Sequence, residues 1–285
     1  MQKQIIRDIM EKLAVYDAAE DTYRAAVQQA VERAVEAGVP LRFVTFTCST
    51  ITAREMYSDT PWMYVRTDTA GNNLEADLPR LTRIVQALRE VYPVEVVIMI
   101  GNTDPYYIYR QQFQELSQAD RASVVEQFAA RWAQYRDALE AWVAATYPAL
   151  RARVVSWYVW EQEQNQLRAQ TFEQEFDQEL ARGVGSETDR EWELRALRTQ
   201  FTVGKYFDGL TAPDETVLRD WIRRKFVEYA LQARWMYKSL MPMILIQNEN
   251  PSVLRSTMYQ PLIAQQYDAQ LPIVYFYGVD NGGYQ

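Results

Sequence analysis

The stretch Val94-Glu95-Val96-Val97-Ile98-Met99-Ile100-Gly101-Asn102-Thr103-Asp104-Pro105 decides the fold. Residues 94–100 are almost all apolar and mostly β-branched. A strand with one wet face alternates polar and apolar residues; a continuous apolar run fits a strand buried on both faces of a parallel sheet. Gly101 to Pro105 then turns the chain at the strand's carboxyl end, where open α/β sheets place their ligands. Just upstream, Leu78–Val91 has the spacing of an amphipathic helix, which Pro93 ends. Further upstream, Leu41-Arg42-Phe43-Val44-Thr45-Phe46-Thr47 reads as another strand. Strand, helix and strand in that order make a βαβ unit, which predicts parallel pairing of 41–47 with 94–100.

The rest of the chain extends this unit. Residues 4–37 read as helix, stopped by Gly38-Val39-Pro40. A second strand is expected near Trp62–Arg66, with a turn over Asp68–Asn73. Ala119–Thr146 reads as a long helix broken by Tyr147-Pro148, and Trp132, Tyr135, Leu139 and Trp142 form a core stripe along it. Val154–Trp160 is a further strand, and Glu161–Arg182 a polar helix. After the Gly183–Ser186 break, helix resumes over Glu187–Phe201. Pro213-Asp214-Glu215 opens another helix running to about Leu240. Met243–Gln247 and Leu271–Tyr277 are the last strands. With no repeats and no linker, the expectation is a single α/β domain over 1–285 with a helical N-terminal segment, 1–38. Its fold is Rossmann-like, a mostly parallel central sheet flanked by long helices.

Composition removes whole classes of chemistry. The chain has 285 residues and no histidine, so Ser-His-Asp and Cys-His catalysis and the common zinc sites are excluded. Proton transfer near neutral pH falls to Glu, Asp, Tyr, Lys, the thiol or the substrate. A single cysteine, Cys48, forbids an intrachain disulfide and suits a reducing compartment. The net charge of −8 disfavours non-specific binding to nucleic acid or anionic membrane, while leaving room for a local basic patch. The N-terminus lacks the apolar run of a signal peptide, and no stretch is long enough to span a bilayer, so a cytoplasmic location is expected. Neither Gly-rich phosphate motif is present, and no cofactor or metal is expected.

Three clusters carry reactive side chains. Cys48-Ser49-Thr50 follows the first strand, where a nucleophile is presented; the same residues also suit a small core thiol and a helix cap. Asn102 and Asp104 occupy the turn after the second strand, suited to a ribose or an amine, or to an ordinary Asx turn. Arg219, Arg223, Arg224, Lys225, Glu228, Tyr229, Tyr237 and Lys238 lie along one helix. Lys225 and Tyr229 share a face. That basic and aromatic mixture suits a phosphate backbone, or a solvated face with acidic partners nearby.

Taken in order, these segments resemble the tRNA-dependent cyclodipeptide synthases. In that family a strand ends at a catalytic serine, and a helix and a buried strand follow. Then come long helices, one bearing a tyrosine and a glutamate a turn apart, and a closing Ser-Val-rich segment with a Tyr-His pair and a proline. Phe43–Ser49 and Val94–Pro105 match the first elements, and Val154-Val155-Ser156-Trp157 matches a strand ending near Trp. Ile222–Ala233 or Trp235–Pro242 is similar to the tyrosine helix. Residues 251–261 are similar to the closing segment, with Tyr259 followed by Gln260 in place of histidine. Neither Tyr229 nor Tyr237 has a glutamate one turn later, where Ala233 and Met241 stand.

The resemblance implies an aminoacyl transferase that joins two aminoacyl-tRNAs into a cyclic dipeptide through an acyl-enzyme, without ATP. It implies Cys48 or Ser49 as nucleophile and Tyr229 and Tyr237 as catalytic tyrosines. With such a substrate, Tyr259 and Gln260 of the closing segment and Asn102 and Asp104 of the turn would bind it, and the basic cluster Arg223, Arg224 and Lys225 would bind the RNA. The family's tRNA-binding helix is rich in Lys and Arg, whereas Ala119–Thr146 is of mixed charge. Two other classes stay open: a transferase using a nucleotide or sugar donor, and a non-catalytic binding protein with an enzyme-like fold.

Overall fold

A computed structural model describes residues 1–13, 21–47, 73–100, 114, 116–184, 215–247, 261–268 and 271–275. The expected strand near Trp62–Arg66 and the helix over Glu187–Phe201 lie outside those residues, as does the expected turn over Asp68–Asn73 except for Asn73, which is helical.

The βαβ unit is present. Strand β1 (Leu41–Thr47) pairs in parallel with β2 (Val94–Ile100), Leu41 opposite Val94 and Thr47 opposite Ile100. Strand β3 (Arg153–Ser156) lies beyond β2, β4 (Met243–Gln247) pairs with the other edge of β1, and β5 (Ile273–Tyr275) flanks β4. The order is β3-β2-β1-β4-β5, and all four pairings are parallel. The chain winds outward from β1 to β3, then returns to start again at β4. The topological switch point therefore falls between β1 and β4.

Helices cover both faces. Helices α1 (Gln2–Leu13), α2 (Asp21–Ala37), α3 (Asn73–Arg89) and α4 (Gln118–Thr146) pack on one face, against Phe43, Val96, Ile98 and Ile244. Helices α5 (Trp157–Leu167), α6 (Phe172–Ala181), α7 (Glu215–Leu240) and α8 (Pro261–Tyr267) pack on the other, against Val44, Val97, Met99 and Leu245. Successive strand residues point to opposite faces, so the unbroken apolar run of β2 feeds both cores at once. Trp132 and Tyr135 of α4 are buried, with Leu139 and Trp142 packed beside them.

Two expected boundaries are corrected. The segment Val154–Trp160 is not one strand: β3 stops at Ser156, and α5 begins at Trp157. Ser156 Oγ accepts the Val159 N–H at 3.3 Å, capping the helix, and the pairing of β3 with β2 ends at the same residue. A short apolar run has no period that separates strand from helix, so the cap decides. Likewise the helix expected over Glu161–Arg182 is two helices. Thr171 and Gln174 form a capping box that starts α6 afresh.

Candidate functional site

Cys48 and Ser49 follow directly on Thr47, the last residue of the central strand β1 and the one bordering the switch point. Their own placement, and that of Asn102, Asp104, Tyr259 and Gln260, lies outside the described residues. Asn102 and Asp104 belong to the segment that leaves Ile100, the residue opposite Thr47.

The structure separates the two tyrosines of α7. Tyr229 is half-buried midway along the helix. Tyr237 lies about 12 Å further on, at a rise of about 1.5 Å per residue. It stands one turn before α7 ends and enters β4 from its amino-terminal end. Its hydroxyl accepts from Arg33 Nη1 at 3.0 Å, and its ring lies tilted by 40° against Tyr267 with centroids 5.2 Å apart. A seven-residue strand spans about 20 Å, so Tyr237 stands at the edge of the sheet opposite the Thr47 end of β1.

Arg223 and Arg224 of α7 are engaged within the protein. Arg223 donates to the carbonyls of Leu180 and Val184, tying α7 to the end of α6. Arg224 Nε donates to Asp220 Oδ2 at 2.7 Å, one turn earlier on α7. The side chain of Lys225 lies outside the described residues.

Sequence reasoning missed the buried charges of this face. Glu161, one turn into the helix that leaves β3, is 2% exposed, and Trp157 Nε1 donates to its Oε2 at 2.8 Å. The pair was legible in principle: a Trp and a Glu four apart, just after a serine cap, share one side of a helix. Glu228 on α7 is buried as well, at 3% exposure.

Trp157 also starts a run of ring contacts. It meets Trp160 at 5.0 Å and Phe172 at 5.8 Å, and Phe172 meets Trp235 at 5.2 Å. At the far end of that run, Arg234 binds Glu179 at 2.8 Å and Glu175 at 2.6 Å. Trp235 Nε1 donates to the same Glu175 oxygen, and the Arg168 guanidinium lies 4.0 Å over the Trp235 ring. Arg168 also donates to Ser239 Oγ, which donates to Gln164. Burial pulls the Arg168 pKa below its ordinary value, and it pushes that of Tyr267 up. This second cluster is a structural lock between α5, α6 and α7. Rings in edge-on and tilted contact hold its geometry, and both partners of each ion pair are hydrogen-bonded.

Among the described residues, no group of three or more His, Cys, Asp and Glu side chains is arranged to hold a metal. No helix there is long and apolar enough to cross a membrane.

Fold and site together define a doubly wound α/β protein. Its ligand crevice is expected beyond the carboxyl ends of β1 and β4, with a buried carboxylate on the helix that leaves β3. No family model and no curated protein matches the sequence. Among solved structures, the chain is similar to one titled a CDPS from Fluoribacter dumoffii, at 10% identity and a TM-score of 0.39. That match covers 83% of this chain and 89% of the other.

Proposed function

We propose that the chain is an aminoacyl transferase that makes a cyclic dipeptide from two aminoacyl-tRNAs, with Cys48 or Ser49 as acyl acceptor. The observation that carries this reading is the strand order. It makes β1 the strand at the switch point, and Cys48 and Ser49 are the first residues beyond it.

The chemistry balances without a cofactor. The thiol or hydroxyl attacks the ester carbonyl of the first aminoacyl-tRNA. An ester or thioester to the enzyme forms, and the ribose hydroxyl of the tRNA leaves with the proton. The amine of the second aminoacyl-tRNA then attacks this acyl-enzyme, forming the first peptide bond and releasing the side chain. The remaining free amine attacks the second tRNA ester, closing the ring and releasing the second tRNA.

Each substrate brings an α-ammonium group, and a buried carboxylate is the natural partner for it. Glu161 supplies such a group, held by the Trp157 indole. A tyrosine and a glutamate one turn apart belong to the pattern of the family that the sequence resembles. Helix α7 lacks that pair; α5 has the same spacing in Trp157 and Glu161, with tryptophan in place of the tyrosine. Tyr229, on the middle of α7, is the tyrosine assigned to orient the reacting groups.

Intact mass after incubation with a pool of aminoacyl-tRNAs tests the reading. The wild type should gain an aminoacyl adduct, which either Cys48→Ala or Ser49→Ala should abolish. A wild type that never acquires the adduct and makes no cyclic dipeptide rules the reading out. A transferase with a nucleotide or sugar donor, or a binding protein, would then stand in its place.

A further inference from the structure

At the edge of the sheet opposite the crevice, a cavity of about 1050 Å³ opens between the amino-terminal ends of β1, β2 and β3. Four arginines line it, Arg42, Arg89, Arg151 and Arg153, against one acid, Glu95. The lining carries four arginines to one acid, whereas the chain as a whole has a net charge of −8.

The four guanidinium groups divide by partner. Arg42 is paired with Glu95 at 2.8 Å and also donates to the Leu240 carbonyl. Arg89 donates to the carbonyls of Val94, Ala149 and Leu150, which engage three of its five N–H groups but, being neutral, leave its charge without an acidic partner among the described residues. Arg151 and Arg153 are exposed and have no ion-pair or hydrogen-bond partner among the described residues. Burial, and then the nearby Arg151 charge, lower the Arg89 pKa from its ordinary value, as expected for cations gathered without an anion.

The site is also held in shape. By gripping Ala149 and Leu150, Arg89 fixes the turn that delivers Arg151, whose backbone is left-handed with φ 43°. Arg153 is the first residue of β3 and lies opposite Val97, so its backbone belongs to the sheet ladder. Two free guanidiniums thus project from a fixed base beside a third fixed positive charge.

We propose that this mouth binds a phosphate-bearing polyanion. Guanidinium forks match phosphate oxygens two at a time, and three uncompensated positive charges call for a ligand with several negative ones. The cavity is too large for a single phosphate group and suits an oligophosphate. The same chemistry is offered by a free oligophosphate or by successive phosphates of an RNA strand. The inference is independent of the acyl-transfer reading, because it uses no residue of the crevice.

The test measures binding by the full-length protein. Inorganic tripolyphosphate is titrated calorimetrically, and a labelled RNA is followed by fluorescence anisotropy, both at two salt concentrations. The variants are Arg151→Ala with Arg153→Ala, and Glu95→Gln. Both affected sites are exposed at the surface, and unchanged melting temperatures verify the fold. Loss of two charge-assisted contacts should weaken binding about tenfold or more, with a shallower salt dependence. Glu95→Gln frees Arg42 and should tighten binding. Tripolyphosphate binding that follows this pattern identifies a free oligophosphate site; if only RNA follows it, the phosphates are those of a nucleic-acid strand. Equal binding by the wild type and the double arginine variant overturns the proposal, and so does no binding of either probe. The aminoacyl adduct is read separately by mass, so failure here leaves the acyl-transfer reading intact.

Discussion

The indole N–H of Trp157 donates to Glu161 Oε2 at 2.8 Å, and each residue is only 2% exposed. A carboxylate taken out of water needs donors, and the helix supplies one a single turn away. Replacing Trp157 with Phe removes that donor and leaves a small void. We expect a loss of about 2–4 kcal/mol of stability by urea denaturation. Glu161→Gln keeps the shape and an acceptor oxygen, so it should destabilise less than Trp157→Phe. Under the proposed function it should nonetheless prevent formation of the aminoacyl adduct, because an amide does not pair with an ammonium as a carboxylate does.

Ser156 converts β3 into α5. Its side chain is fully buried and accepts the Val159 N–H. Ser156→Ala should cost about 1 kcal/mol, the usual worth of a helix cap. Ser156→Thr, which keeps the oxygen, should recover part of this. Thermal melts of the three proteins, compared side by side, decide it.

The lock around Arg234 should behave as a coupled unit. Arg234 is 8% exposed, and Glu179 is 2% exposed. Arg234→Ala removes the cation shared by buried Glu179 and half-buried Glu175, which keep one donor each, Arg182 and Trp235, and should cost about 2–3 kcal/mol. Glu179→Met combined with Arg234→Met should cost less than the two single changes added together. A double-mutant cycle measures this, and simple additivity would mean the pair is not coupled.

Alkaline stability should depend on Tyr267. Burial raises its pKa above the ordinary value, opposed by the charges of Arg234 and Arg168. In the unfolded chain the phenol ionises at about pH 10. Above that pH the unfolded state holds fewer protons than the folded state, so stability falls until the folded phenol also ionises. The Tyr267 hydroxyl is buried with no hydrogen-bond partner among the described residues. Tyr267→Phe should therefore leave stability at pH 7 nearly unchanged and flatten its decline above pH 10. An identical alkaline slope in the variant would remove Tyr267 from the account.

The fold was legible where the sequence is locally consistent. Residues 41–47 and 94–100, joined through a helix, have one topologically allowed arrangement, and the structure shows it in full register. The long helices 118–146 and 215–240 were readable because their length averages out local ambiguity. Val154–Trp160 was not, because a short apolar run fits either period until the Ser156 cap is seen.

The sequence by itself determined the chemistry this protein lacks and the kind of sheet it builds. A chain with no histidine and one cysteine cannot assemble the histidine-based sites, whatever its fold. A strand apolar on both faces must be covered on both faces. Tertiary structure alone decided which charges sit together. The i, i+4 spacing puts Trp157 and Glu161 on one side of a helix, but only the packing of α5 on the sheet shows that side to be buried. Arg151 and Arg153 look like surface arginines until β1, β2 and β3 bring Arg42 and Arg89 to the same mouth. Local sequence sets which side chains share a helix face, whereas the meeting of charges far apart in the chain depends on packing, since electrostatic attraction acts through space.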